Sequence, residues 1–202
     1  MKIVILVEGQ SEKAFSPVLR EFIHSRLPDG APRPKLSANR YDGRIPKGDK
    51  LLKIVEHEVR SGADAVIGLT DVYTGSNDFR DAAEAKSKMT AWAGNHPKFH
   101  AHAALHDFEA WLLPYWDAIR KLSGSTRAAP SSSPENVNHN KPPARLLAEV
   151  FLQGGRGRAY SKPRDATRIL HGKDLTIAAN ACPELKSFLN RIVGLCGGRV
   201  IP

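Results

Sequence analysis

Lys2-Ile3-Val4-Ile5-Leu6-Val7 runs without a polar interruption into Glu8-Gly9-Gln10-Ser11-Glu12, and this stretch decides the fold class. A short, continuous run of β-branched and leucine residues suits a strand buried on both faces, the habit of parallel sheets. The pattern then turns helical. Phe15, Val18, Leu19, Phe22, Ile23 and Leu27 fall at spacings of three and four, one apolar stripe on one face, before Pro28 and Gly30 stop it. Ala65–Thr70 (AVIGLT) repeats the buried-strand pattern and ends abruptly in Asp71. Between the two, residues 35–40 read as a weakly marked strand. Lys50–Arg60 reads as a helix with Leu51, Leu52, Val55 and Val59 on one side, Asp49 as its cap and Gly62 beyond it. Phe79–Ala93 predicts an alanine-rich helix capped by Asp78, and Phe99–Leu105 a further strand. The aromatic stretch HDFEAWLLPYW (His106–Trp116) predicts a helix up to Pro114. Strand and helix alternate, so residues 1–115 are expected to form an α/β core, a mostly parallel sheet flanked by helices with right-handed crossovers.

Residues 123–143, rich in Ser, Pro and Asn, break that rhythm and read as a loop, lid or linker. Residues 144–202 are expected to be a helical extension packed on the core, making one domain overall. It contains a helix around Ala144–Phe151, the loop Gly154-Gly155-Arg156-Gly157-Arg158, and a terminal helix striped by Leu185, Phe188, Leu189 and Ile192 and ended by Gly197-Gly198. There is no internal repeat.

At 202 residues, with 41% hydrophobic and 25% charged residues, the composition is that of a globular chain able to bury a sizeable core. No apolar run approaches the roughly 18 residues that a membrane-spanning helix needs, so no membrane is expected. The opening MKIVILVEG lacks the apolar length and cleavage site of a secretory leader. Cys182 and Cys196 follow no zinc or redox spacing; both read as buried thiols of a cytoplasmic protein. The formal charge of +9 favours polyanions, because neutralising phosphates releases counterions. Arg156, Arg158, Lys162, Arg164, Arg168 and Lys173 crowd one stretch with Asp165 as its only acid, and a second basic stretch runs from Arg33 to Lys53. Arg156, Arg158, Lys162 and Arg164 are the expected nucleic-acid contacts, with DNA ranked ahead of RNA.

In open parallel sheets ligands bind beyond the carboxyl ends of the strands. Glu8 directly follows the first strand, and Asp71 directly follows AVIGLT. On adjacent strands they would converge, and two carboxylates at one point repel each other unless a hard cation joins them. Glu12 opens a helix, where it offsets the dipole or joins Glu8. Glu109 sits among Phe108, Ala110, Trp111 and Leu112, so it is exposed, paired or metal-bound. Mg2+ or Mn2+ is the expected cofactor. His100, His102 and His106 share strand parity, but no cysteine supports a zinc site. Walker A, GxSxG and HExxH motifs are absent.

Read together, VEGQSEKAF (Val7–Phe15), LTDVYTG (Leu69–Gly75), HDFEAWLL (His106–Leu113), PENVN (Pro134–Asn138), KPPARLL (Lys141–Leu147), YSK (Tyr160–Lys162) and CPELKSFL (Cys182–Leu189) resemble, in order, the bacterial family called domain of unknown function 4276. That family is a Toprim-like group related to OLD-family nucleases. The resemblance implies a Toprim-like fold with one Glu after the first strand, here Glu8, and an Asp pair after a later one. Asp71 matches the first of that pair and Tyr73 stands in place of the second, leaving Glu109 or Asp107 to supply the missing ligand. It also implies that Glu8 and Glu12 resemble the paired acids of OLD-type metal sites, and that Lys162 matches the lysine that steadies the transition-state phosphate. The expected activity is metal-dependent hydrolysis of nucleic acid, in a phage-defence or DNA-maintenance setting, with His106 or Glu12 as proton acceptor. An ABC-type ATPase is the partner the resemblance implies. The alternative is a non-catalytic subunit that binds nucleic acid or nucleotide and regulates that ATPase; a third reading is phosphoryl chemistry on a small nucleotide.

Overall fold

The computed structural model describes residues 1–9, 11–41, 43–73, 79–137 and 141–202, with only the backbone described for residues 11–14. Four strands, β1 (Lys2–Val7), β2 (Lys35–Arg40), β3 (Ala65–Val72) and β4 (Phe99–Leu105), form one parallel sheet in the order β2-β1-β3-β4. Helices α1 (Ser11–Arg26), α2 (Asp49–Arg60) and α3 (Ala82–Trp92) make the crossovers. Chain order reverses between β1 and β3, so the crevice at their carboxyl ends is the place where such sheets bind ligands. The weakly marked strand 35–40 is β2, an edge strand whose Leu36 carbonyl accepts from Arg20 Nη2 at 3.0 Å.

Alternation along the strands separates two apolar layers. Ile3, Ile5, Val7, Ile67 and Leu69 face α1 and the C-terminal helices, whereas Val4, Leu6 and Val66 face α2 and α3 through Leu51, Val55 and Met89. Gly68 breaks the second row because a Cβ there would lie 2.8 Å from the Phe99 ring. The first layer is the larger. It includes α4 (Trp116–Ser123), α5 (Pro143–Gln153), α6 (Lys162–Leu170), α7 (Leu175–Ala181) and α8 (Pro183–Leu195). At its centre Phe108 and Phe188 flank Trp111 with ring centroids 5.5 and 5.8 Å away, contacts worth about 0.5–1.5 kcal/mol each beyond their buried area.

Several expected boundaries move. The third helix begins at Ala82, and its cap is Asp81, whose carboxylate accepts the Glu84 amide at 2.7 Å; the expected cap Asp78 lies outside the described residues. The cap of α2 is Gly48, with Asp49 its first helical residue. Phe108–Tyr115 is a 3-10 helix that runs through Pro114. Two helices, α6 and α7, lie where the sequence pattern indicates only a basic loop and a single terminal helix. The glycine–arginine loop is tied down: Gly155 and Arg156 amides donate to the Gly124 and Ser123 carbonyls at 3.0 and 3.3 Å. A Cβ at Gly154 would lie 2.3 Å from the Ser123 carbonyl, so the glycine is there for contact with the end of α4. The described part of the Ser/Pro-rich segment is also fastened, by Trp116 Nε1 to the Arg127 carbonyl at 2.9 Å and by Glu135, which accepts the α8 amide of Glu184 at 3.1 Å. Cys182 is buried and Cys196 half-buried, both free thiols. Among the described residues no helix is long and apolar enough to cross a membrane.

Candidate active site at the carboxyl ends of the strands

β1 and β3 are neighbours, yet their register separates the first two acids. Leu6 pairs with Gly68, so Glu8 continues opposite Thr70, and alternation turns Asp71 toward the other face. The contacts follow that parity. Glu8 Oε1 accepts from the Thr70 hydroxyl in a short hydrogen bond and from the Ile45 amide at 3.4 Å. Asp71 Oδ2 accepts from the Tyr73 hydroxyl at 3.0 Å, and its Oδ1 from the Phe108 amide at 3.1 Å.

That amide begins the stretch carrying the next two acids. Asp107 and Glu109 are both fully buried. Asp107 Oδ2 accepts the Ala144 amide in the first turn of α5 at 3.0 Å. Its Oδ1 is buried with no hydrogen-bond partner among the described residues. Burial first, then the neighbouring Glu109, push the Asp107 carboxyl up to about 7, although the Ala144 amide and Lys162 pull the other way. Glu109 Oε2 receives Lys162 Nζ at 3.3 Å from the first residue of α6. Burial works against the Lys162 ammonium, but Glu109, Asp107 and Asp71 together outweigh it and hold its pKa above the ordinary value. The same three acids, after burial, keep the Tyr73 phenol protonated. Arg44 lies over the Tyr73 ring at 5.8 Å, so the loop after β2 reaches the mouth of the site.

The structure thus gathers Asp71, Asp107 and Glu109 around Lys162, with Glu8 one strand away at the same end of the sheet. His106 is buried beside them, between β4 and the 3-10 helix. The Glu12 side chain lies outside the described residues. His102 is buried with its ring edge-on to Phe188 at 5.6 Å and Nδ1 unpartnered among the described residues; burial first, then Arg191, Lys86 and His100, drive it down to about 3, a neutral core imidazole. Among the described residues no three His, Cys, Asp or Glu side chains are grouped, as they stand, to hold a metal ion.

Of the expected nucleic-acid contacts, Arg158 and Arg164 both turn to Asp165. Arg158 binds that fully buried carboxylate through two nitrogens at 2.8 and 3.0 Å, Arg164 through Nε at 3.2 Å, and the Ser161 amide adds a bond at 2.8 Å. Burial opposes ionisation of Asp165, and the Arg158 and Arg164 bonds overcome it, holding the carboxyl down at about 2. Arg156 is exposed on the tied loop. The sequence pattern assigns no site role to Asp165; the available signal is local charge balance, one acid in a run of cations.

The family model for the domain of unknown function 4276 matches residues 7–193. The chain belongs to that family. Its fold is similar to the C-terminal region of the Burkholderia pseudomallei OLD protein, at 15% identity over 96% of this chain and 98% of that one, with a TM-score of 0.50. It is also similar to the corresponding region of the Xanthomonas campestris pv. campestris OLD protein, at 15% identity over 96% and 93% of the two chains, with a TM-score of 0.49. Among curated proteins none matches. The fold of this family member is therefore α/β, with the architecture of the Burkholderia OLD C-terminal region.

The donor set suits a hard divalent cation. It is all carboxylate oxygen, it is buried, and Asp107 Oδ1 has no hydrogen donor among the described residues to satisfy it.

Proposed function

We propose that this chain hydrolyses phosphodiester bonds of nucleic acid with the help of Mg2+ or Mn2+. The observation that carries the reading is the buried acid set Asp71, Asp107 and Glu109 facing Lys162 at the carboxyl ends of the strands. Buried carboxylates that only stabilise a fold are paired or fully hydrogen-bonded; here Asp107 keeps an oxygen with no hydrogen-bond partner among the described residues, and burial and Glu109 push its carboxyl up to about 7. Asp71, Asp107 and Glu109, with Glu8 from β1, would hold the cation. When bound, such a cation polarises the phosphate and lowers the pKa of a water. Lys162, half exposed at the helix start, is placed to reach from Glu109 toward a phosphate and to stabilise charge developing on it. Tyr73 and the Phe108 amide fix the orientation of Asp71. His106, at the start of the same stretch, is the candidate proton acceptor. DNA is the preferred substrate, the setting is cytoplasmic phage defence or DNA maintenance, and an ABC-type ATPase is the proposed partner.

The test is cleavage of plasmid, linear duplex, single-stranded DNA and RNA with Mg2+ and with Mn2+. Lys162→Ala should lower turnover by about a hundredfold with a smaller effect on substrate affinity. No cleavage of any substrate, with or without an ATPase partner, or full activity in Glu8→Ala, overturns the hydrolytic reading. A second reading rests on Tyr73. Its hydroxyl donates to Asp71 Oδ2 at the position where the Toprim-like resemblance implies a second Asp, an arrangement that also suits a subunit that binds nucleic acid without cutting it and regulates the ATPase.

A further inference from the structure

The cations of the C-terminal half fall into two classes by what they touch. Arg158 and Arg164 are committed to Asp165, and Lys162 to Glu109. Lys121, Arg168 and Lys173, by contrast, make no ion pair or side-chain hydrogen bond with any described residue. These three, with His171 and Thr167, line a cleft of about 510 Å3 between α4 and the carboxyl end of α6, where Ala118 and Leu122 supply the apolar lining and Asp117 is the one acid. On α4 the lining residues 117, 118, 121 and 122 share one face, as a spacing of three to four dictates.

A plainer reading is that Lys121 and Arg168 merely offset the carboxyl ends of their helices. That effect is worth about 0.3–1 kcal/mol for a cation in the last turn, and it does not reach Lys173, which lies beyond α6, or call for the cations to share a concavity. Three uncommitted cations in one open cleft suit several anionic groups at fixed spacing, as a sugar–phosphate backbone presents them. α6 supplies the ruler. Lys162 begins it at the carboxylates and Arg168 lies six residues on, roughly 9 Å along the axis and about a third of a turn around it, so the two cations stand at least about three nucleotides of single-strand rise apart.

We propose that this cleft, lined by Lys121, Arg168, His171 and Lys173, binds the sugar–phosphate backbone of a nucleic acid a few nucleotides from the phosphodiester that faces the carboxylates. The inference rests on the nucleic-acid part of the proposed function and is independent of cleavage. It moves the backbone contact from Arg158 and Arg164, which hold the fold together, to cations that have no structural partner among the described residues.

The test is fluorescence anisotropy of the full-length chain with labelled 20-nucleotide single strands and 20-base-pair duplexes, in EDTA so that nothing is cut. The triple variant Lys121→Ala/Arg168→Ala/Lys173→Ala should weaken binding tenfold or more. Its duplex salt slope should fall by up to about 2.7, roughly 0.9 for each phosphate that is no longer neutralised. A charge-matched variant, Lys50→Ala/Lys53→Ala/Arg60→Ala on the exposed side of α2, should lose far less. Single variants Lys121→Ala and Lys173→Ala, both at exposed positions, each lower the slope by about 0.9 and serve if the triple variant melts early. The proposal is overturned if the cleft variants bind as wild type does, if the α2 variant loses as much, if wild type binds no nucleic acid, or if tripolyphosphate binds wild type as tightly as the 20-mer. Weakened binding in the cleft variant without cleavage in any metal leaves the cleft standing and removes the hydrolytic reading; cleavage with unimpaired cleft variants does the reverse.

Discussion

Glu109 is flanked by Phe108, Ala110 and Trp111 and is fully buried, with Lys162 at 3.3 Å. Two residues earlier, Asp107 shares that environment and holds its proton to about pH 7, against an ordinary 3.8. The sign of the consequence is fixed by linkage. Between those values the folded chain keeps a proton that the unfolded chain has released, so Asp107 makes stability fall as pH rises through that window. Asp107→Asn keeps an oxygen for the Ala144 amide and removes the charge. It should therefore stabilise the chain by roughly 2–4 kcal/mol near pH 8 and change little near pH 4. Urea unfolding of both proteins at the two pH values measures the difference directly, and the comparison cancels Glu135, which burial also raises to about 7. If variant and wild type lose the same stability between the two pH values, Asp107 does not carry the proton. Added Mn2+ should erase the variant's advantage, because the amide removes an anionic donor. In the sequence Glu109 is conspicuous as a charge inside an apolar run. Glu8 and Asp71 are also expected there to meet, and both lie at the carboxyl end of the sheet. What the sequence does not give is the register, because a strand of known ends does not fix which residue faces which, and Thr70 is the residue opposite Glu8.

α6 shows how one element serves both fold and site. Its first residue is Lys162, and the turn before it is held by Asp165, on which Arg158, Arg164 and the Ser161 amide converge. Arg158 also stacks over Phe151 at 4.7 Å, which carries the connection to α5. Asp165→Ala would strand Arg158 beside an apolar ring and leave the Ser161 amide without its acceptor. Breaking a buried pair in this way costs about 3–5 kcal/mol, and the loss should appear as a lower unfolding midpoint in denaturant. A cost below about 1 kcal/mol would show that the cluster is surface electrostatics. The variant should also loosen Lys162, so any Mn2+-dependent activity should fall along with stability. This element is not legible from periodicity. It is short, it opens Lys162-Pro163-Arg164, and its apolar side is only Ala166, Ile169 and Leu170, so the basic residues dominate the pattern. The long strands and α1 are legible because burial on both faces or on one stripe leaves a pattern that no turn residue interrupts.

At the scale of the whole molecule, the sheet depends on the C-terminal helices. The larger apolar layer begins with Ile3 on β1 and ends with Ile201, and it passes through Trp111 and Phe188. Without α5 to α8 the layer that holds Ile3, Ile5, Ile67 and Leu69 would keep α1 and the Phe108–Tyr115 segment but lose Phe188 and the other C-terminal members, and the site would lose Lys162. The opposite layer, with Leu51, Val55 and Met89, is smaller, yet the same strands carry both, so neither layer should melt alone. Phe188→Ala removes a fully buried ring from α8 and should cost about 3–5 kcal/mol. Its effect should be felt equally far from the mutation. Single-tryptophan proteins make this measurable: Trp92 packs against the α2–α3 side, whereas Trp111 lies in the larger layer. In the Phe188→Ala background, fluorescence of Trp92, fluorescence of Trp111 and far-ultraviolet circular dichroism should shift together, in one transition with a common midpoint. A Trp92 transition that stays at the wild-type midpoint while Trp111 moves would show that the α2–α3 side folds independently. The helical extension would then be an accessory to the sheet rather than half of its core.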